Sequence, residues 1–341
     1  MSEMQNIFLQ QNSKHKCIYN FKENNESKTK IKLKIRYLYI FLIIGIILFS
    51  IEYINNYEWN SNNYFFSYTN QITLKVKGTG STSIFYSSFS TYLSQVKLNN
   101  NAITVSSSIT ISSSSSGNTV ILIWNSQISN CNNMFQNCNK IIEIDLSEFV
   151  SSSVTSMNYM FSGCTSLTSI NFKNFDTSSV TEMMYAFQNC QSLTSLDLSN
   201  FVTNNVHEFH HMFDGCKSLR NLDLSNFITS SCTCLQSMFY GCSSLTSLDL
   251  SNFLTSKVDL IYHMFYGCEK LEYVNLKNSV LSSSYLNSND DYYDATYDTP
   301  KNMVFCVKQE SFNFYRNYIL SDSCQVLISD CNSDWRKSQK K

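Results

Sequence analysis

Cys190-Gln-Ser-Leu193-Thr-Ser-Leu196-Asp197-Leu198-Ser-Asn200-Phe201, continued by Val-Thr-Asn-Asn-Val206-His207-Glu208-Phe209-His210-His211-Met212-Phe213-Asp214-Gly215-Cys216, is one full copy of a pattern that fills the middle of the chain. Working outward, the dipeptide Met-Phe recurs at Met134-Phe135, Met160-Phe161, Met212-Phe213, Met238-Phe239 and Met264-Phe265, with Ala186-Phe187 in the remaining slot. Three residues after each Phe stands Cys138, Cys164, Cys190, Cys216, Cys242 or Cys268, a 26-residue period without insertion. A fixed period of this length is the signature of stacked units, each burying its apolar face on its neighbours.

Within one unit the hydrophobic period changes. Leu193, Leu196 and Leu198 end in strand-like alternation, and the same frame holds Leu219, Leu222 and Leu224 or Leu245, Leu248 and Leu250. Phe149, Phe175, Phe201, Phe227 and Phe253 close a corner after it. Val180, Met183, Ala186 and Phe187 then follow helical spacing, and Ser179 with Glu182 reads as a capping box. A column of Asn137, Gly163, Asn189, Gly215, Gly241 and Gly267 holds only the residue types that best tolerate a left-handed cap.

The remainder of the 341 residues falls around this block. Residues 1–36 carry 8 basic and 3 acidic side chains, although the net charge of the chain is only −1. They are followed by Tyr37–Ile51, an uncharged apolar run extendable to Ile54. Such a run behind a basic flank predicts a signal-anchor over 37–54, with a cleaved signal peptide as its rival. The chain is then a single-pass plasma-membrane protein with a cytosolic N-terminal tail (1–36) and an extracellular C-terminal ectodomain. Residues 55–117 read as a β-rich N-terminal cap, 118–278 as the repeats, and 279–341 as a C-terminal cap and tail. The expected fold is an α/β repeat solenoid: a parallel β-sheet on the concave face and short helices on the convex face, behind a single N-terminal transmembrane helix. A mildly acidic body argues against a nucleic-acid partner.

The motif C-x-S-L-T-S-L-D-L-S-N-F followed by V-T-x-M-x-x-M-F-x-G-C resembles the 26-residue surface-protein repeat of the BspA-like leucine-rich repeat proteins. The resemblance covers roughly residues 118–278. It implies a cell-surface protein in adhesion or host contact and carries no catalytic residues with it. Cys131 departs from the pattern where Met157 and Met183 stand later, and Ser279 replaces the corner Phe.

Three groups of side chains invite a functional reading. The outward strand column, Asp145, Asn171, Asp197, Asp223, Asp249 and Asn275, is the expected ligand-binding face for a protein or glycan; solvation and hydrogen bonding to Ser and Asn are the plainer alternative. His207-Glu208-Phe209-His210-His211 matches H-E-x-x-H, whose chemistry needs two His on one helix face and a Glu base. Because Phe209 fills a core slot of the repeat, no metal site is assigned there. His207, Glu208 and His211 stay as weak candidates for a zinc hydrolase, the competing reading, beside that of a structural surface coat. The Cys column reads as buried thiols rather than disulfides, since parallel stacking points neighbouring Cβ atoms the same way. Cys306, Cys324 and Cys331 are the disulfide candidates, and Cys234 is expected to be exposed. Without a catalytic constellation or cofactor motif, the chain reads as non-enzymatic, with no cofactor.

Overall fold

The structure, a computed structural model, describes residues 57–58, 67–68, 70–112, 117–124, 126–258, 261–279, 295–296, 298–300, 303–307 and 326–328. The chain divides into two compact units, residues 1–67 and 68–341. Strands β1 (Tyr57–Glu58) and β2 (Ser67–Tyr68) are two residues each. The second unit contains the repeats and an antiparallel layer before them.

That layer consists of β3 (Asn70–Val76), β4 (Gly80–Ser83), β5 (Leu93–Leu98), β6 (Asn101–Ile103), β7 (Ser108–Ile111) and β8 (Asn118–Trp124). Their inward residues alternate, as in Ile72, Leu74 and Val76 against Val120, Leu122 and Trp124, all buried. A two-residue turn through Asn99 and Asn100, both at positive φ, joins β5 to β6; Asn is among the few residues that occupy such turns readily. Strand β3 also pairs antiparallel with β9 (Ile141–Asp145), the first strand of the repeats. Lys140 Nζ donates to the carbonyls of Thr79 and Ser81 across the same junction. β8, at 118–124, therefore belongs to the antiparallel layer.

Strand β9 pairs in parallel with β10 (Ser169–Asn171), completing a six-stranded mixed sheet in the order β10-β9-β3-β8-β5-β6. A separate four-stranded parallel sheet holds β11 (Ser247–Asp249), β12 (Tyr273–Asn275), β13 (Val304–Cys306) and β14 (Val326–Ile328). Between β10 and β11 no residue falls in a named strand. On another side of the repeats, successive copies are joined by isolated parallel bridges running Asn130, Ser156, Glu182, Glu208, Cys234.

The expected α/β solenoid, one parallel sheet backed by short helices, is therefore corrected. Among the described residues there is no α-helix, only a 3-10 turn at Ser87–Thr91, and the strands do not merge into one sheet. The outer segments fail to be helical for a backbone reason. Tyr159, Tyr185, His211, Ser237 and His263 all sit at φ between 52° and 58°, and a left-handed residue stops a right-handed helix. Alternate amides then reach across to the next copy, as in Phe135 N to Met160 O (2.8 Å) and Phe161 N to Ala186 O (2.9 Å). The amides between them close tight turns, as in Met160 N to Met157 O and Ser162 N to Tyr159 O. Chained turns bury Val180, Met183, Ala186 and Phe187 at the spacing a helix would use. Nor is there a capping box: Ser179 Oγ donates to the Ser152 carbonyl, and Glu182 accepts from Ser156 and Asn158.

Inside the stack, Phe135, Phe161, Phe187, Phe213, Phe239 and Phe265 form an unbroken ladder of near-parallel rings, 5.3 to 5.9 Å apart. All six are buried, so the ladder removes a large apolar area from water; Phe172 meets Phe161 and Phe187 edge-on from its side, and Phe305 meets Phe265 at its end.

The transmembrane expectation is also corrected. Among the described residues no helix is long and apolar enough to cross a membrane, so a single-pass N-terminal anchor and the plasma-membrane location drawn from it are not supported. Residues 1–36 and 37–54 themselves lie outside the described residues, as does most of 280–341.

Candidate functional site

The outward strand column lines up as the repeat frame requires, but its side chains have local duties. Asp145, Asp197, Asp223 and Asp249 each accept, through Oδ1, the amide N–H two residues on, at 2.9 to 3.0 Å. Asn171 and Asn275 do the same for Lys173 and Lys277. These are Asx turns, which lead the chain out of the strand and into the corner. At two points the column is cross-linked as well: Asn171 Nδ2 donates to Asp145 Oδ1 (2.9 Å) and Asn275 Nδ2 to Asp249 Oδ2 (3.2 Å). The Ser199 hydroxyl and then its amide hold the Asp197 carboxyl below the usual range; for Asp223 the Ser225 amide leads and its hydroxyl follows. Asn171, Asp197, Asp223 and Asp249 are exposed and Asp145 is half-buried, whereas Asn275 is only 6% exposed and is not available to a ligand.

The corner that follows is tied just as regularly. Asn200, Asn226 and Asn252 donate Nδ2 to carbonyls of the preceding copy, for example Asn226 to Leu198 O (2.9 Å) and Phe201 O (2.8 Å). Buried Thr203 accepts the Ile228 amide (2.7 Å) and donates to the Ile228 carbonyl (3.1 Å). Thr177 treats Val202 identically, and Thr229 treats Leu254 so. With both backbone groups pinned, the side chains of Val202, Ile228 and Leu254 turn outward, at 42%, 42% and 47% exposure. The periodic pattern of the sequence carries no signal for this exposed row, because an aliphatic residue next to a corner Phe is compatible with either face.

Around His207, Glu208 and His211 the segment is extended and turned, not helical. Glu208 bridges Glu182 and Cys234 in parallel, Phe209 is buried, and His211 has φ 54°. His207 Nδ1 donates to Ser231 O (3.2 Å), and His211 Nδ1 pairs with Asp214 Oδ2 (3.0 Å), which also accepts from Gln188. His211 lies face to face on Tyr185 (4.6 Å), and Tyr185 on Tyr159 (4.5 Å). His210 Nδ1 lies 3.5 Å from Glu208 Oε2, and burial pushes this imidazole below its ordinary value. Among the described residues no group of three or more His, Cys, Asp or Glu is arranged to hold a metal ion.

The six column cysteines are buried and free. Cys164, Cys190, Cys216, Cys242 and Cys268 each point Sγ at a Phe carbonyl of the preceding copy, at 3.1 to 3.2 Å, while Cys138 faces Gln136 O at 3.9 Å. Burial pushes Cys138, Cys216 and Cys268 up to about 12, and Cys164, Cys190 and Cys242 well above the ordinary value. Cys234, expected to be exposed, is 8% exposed and buried. Cys306 is disulfide-bonded; Cys324 and Cys331 lie outside the described residues.

Such a frame, with every inward column committed to packing or hydrogen bonding and only the outward columns free to differ, defines a repeat-built protein. Residues 106–220 and 185–296, together more than half of the chain, match the family described as "Mycoplasma protein of unknown function, DUF285", and the chain belongs to this family. That family is compatible with a surface protein. No curated protein matches the chain.

Proposed function

We propose that this chain is a non-catalytic surface protein whose stacked repeats display a binding face for another macromolecule, a protein or a glycan. One observation carries this reading: the division of labour between columns. Inward positions repeat nearly unchanged and are tied to their counterparts 25 to 29 residues away, as the Thr, Asn, Cys and Phe columns are. Of the outward columns, the one through Thr168, Thr194, Arg220, Thr246 and Glu272 changes between copies and is exposed except at the half-buried Thr246, while its neighbour keeps to Asp and Asn. A rigid scaffold with variable exposed positions is how repeat proteins build recognition surfaces. The disulfide at Cys306 fits an oxidising compartment, as a surface location requires. The resemblance to BspA-like repeat proteins adds adhesion to the reading. No cofactor and no nucleic acid is assigned.

The test is binding of the purified full chain, oxidised as it folds, to intact cells and to immobilised matrix proteins. It is run beside a variant with Asp197, Asp223 and Asp249 changed to Asn. Asn already serves the same turn at Asn171 and Asn275, so the variant removes charge and keeps the fold. Saturable binding weakened in the variant is expected. Stoichiometric zinc lost on His211→Ala, together with hydrolytic turnover, would establish the competing enzyme instead.

A further inference from the structure

Among the described residues five large apolar side chains are strongly exposed, and three of them, Val202, Ile228 and Leu254, occupy one column in consecutive copies. The fold does not ask for them. In the copy before, the same position is Asp176, exposed, with its amide taken by Ser151 Oγ (2.6 Å) and its carboxylate accepting the Ser178 amide (2.8 Å). The backbone there is satisfied whatever the side chain. Three aliphatic residues held in water at the cost of their hydrophobic free energy point to a partner that covers them.

These three copies are also the ones whose outward strand position is Asp197, Asp223 and Asp249. In each, four residues separate the acid from the aliphatic side chain, and the chain between them is closed into a turn. Phe201 N to Leu198 O (3.0 Å) and Phe227 N to Leu224 O (3.0 Å) are two of these closures. The acidic row thus enters this turn and the apolar row leaves it, in each of the three copies. Arg220 and Lys257 are the cations on the strand and corner of these copies. Sugars select aromatic platforms with hydrogen-bonding rims, and this row is aliphatic.

We propose that the corner formed by Val202, Ile228, Leu254 and Asp197, Asp223, Asp249 docks a cationic amphipathic helix of a partner protein. The proposal rests on the binding role above and names its partner. Apolar side chains of the helix cover the aliphatic row while its Lys and Arg side chains face the carboxylates. The pitch fits. Successive copies stand about 4.8 Å apart and successive helix turns about 5.4 Å, so over three copies the mismatch grows to only about 1 Å. Grooves that take helices read anchors at this i, i+3 or i+4, i+7 spacing.

The test uses the full chain and three labelled probe peptides: a Leu/Lys amphipathic helix, its scramble of equal composition, and a Leu/Glu counterpart. Fluorescence anisotropy should show the Leu/Lys helix binding about tenfold or more tighter than its scramble, with the Leu/Glu peptide weakest. Changing Val202, Ile228 and Leu254 to Ser should erase the preference over the scramble. The triple Asp→Asn variant should weaken both cationic peptides and flatten their salt dependence. Equal affinity for helix and scramble, or a preference that survives the Ser variant, overturns the proposal. In the cell-binding assay, sensitivity to protease treatment of the cells supports a protein partner. Sensitivity to glycosidase alone overturns the helix and leaves the binding role standing.

Discussion

The side-chain amide of Asn137 occupies the space that a Cβ on Gly163 would need, and Asn189 stands over Gly215 in the same way. Gly163 has φ 76° and Asn137 φ 61°, so both are left-handed, but only one of the two can carry a side chain toward the other. Gly163→Ala should therefore destabilise the chain by about 1–3 kcal/mol, from the left-handed backbone and the collision together. Asn137→Gly in the same molecule should recover part of that loss. Equilibrium denaturation of the two single variants and the double would show it as a coupling energy.

Thr203→Val keeps shape and removes the hydroxyl that both accepts from and donates to Ile228. Two backbone groups lose their partner, at a cost of about 1–3 kcal/mol, while Thr203→Ser should cost clearly less. Equal losses for Val and Ser would mean that packing of the methyl group, not the hydroxyl, sets the stability of the corner.

Burial holds the Cys216 thiol at about 12, against an ordinary value of 9.0. Below pH 9 both folded and unfolded chains keep this proton, and its contribution to stability is fully present. Above that, the unfolded chain loses the proton first, so stability falls as pH rises toward 12. The slope approaches about 1.4 kcal/mol per pH unit for each such thiol. Denaturant titrations from pH 8 to 11 should give a shallower decline for Cys216→Ala than for the wild type. Thiol reagents should leave the folded column untouched and label it once denatured.

Asp223→Ala removes the acceptor for the Ser225 amide, whereas Asp223→Asn retains it. The Ala variant should lose up to about 1 kcal/mol at neutral pH, and the Asn variant much less. Because the folded carboxyl is held below its ordinary value, its contribution is present above pH 4 and lost as pH falls through the folded value. The wild type and Asp223→Asn should therefore converge in acid-denaturation curves.

How far the fold could be read from the chain depends on which columns have chemically uniform members. The Phe, Cys and Leu columns do, and all of them are buried. The Gly/Asn column does too, and its members lie at positive φ. The second left-handed column, with Tyr159, Tyr185, His211, Ser237 and His263, has no shared chemistry, so nothing in its residue types announced the turn that replaces a helix. Spacing of i, i+3 and i+7 cannot separate a helix from chained three-residue turns, because both return to one face at that interval. The outward Asp row was legible as outward. Its turn-forming role is visible in the Asp-x-Ser spacing only once the backbone is known to bend there. The row of Val202, Ile228 and Leu254 was hidden because burial at a corner depends on which neighbour secures the backbone, and that is a Thr of the copy before.

Within the Phe135–Phe265 ladder the stacking contact is the same from copy to copy: each of the four inner rings meets a Phe ring above and below. Length is then a free variable of this architecture. A gene that gained or lost one 26-residue unit by unequal recombination would still meet matching surfaces at the join, and its outward rows would lengthen or shorten by one step. A lineage of such chains can adjust the reach of its surface by counting units, with no new packing problem to solve.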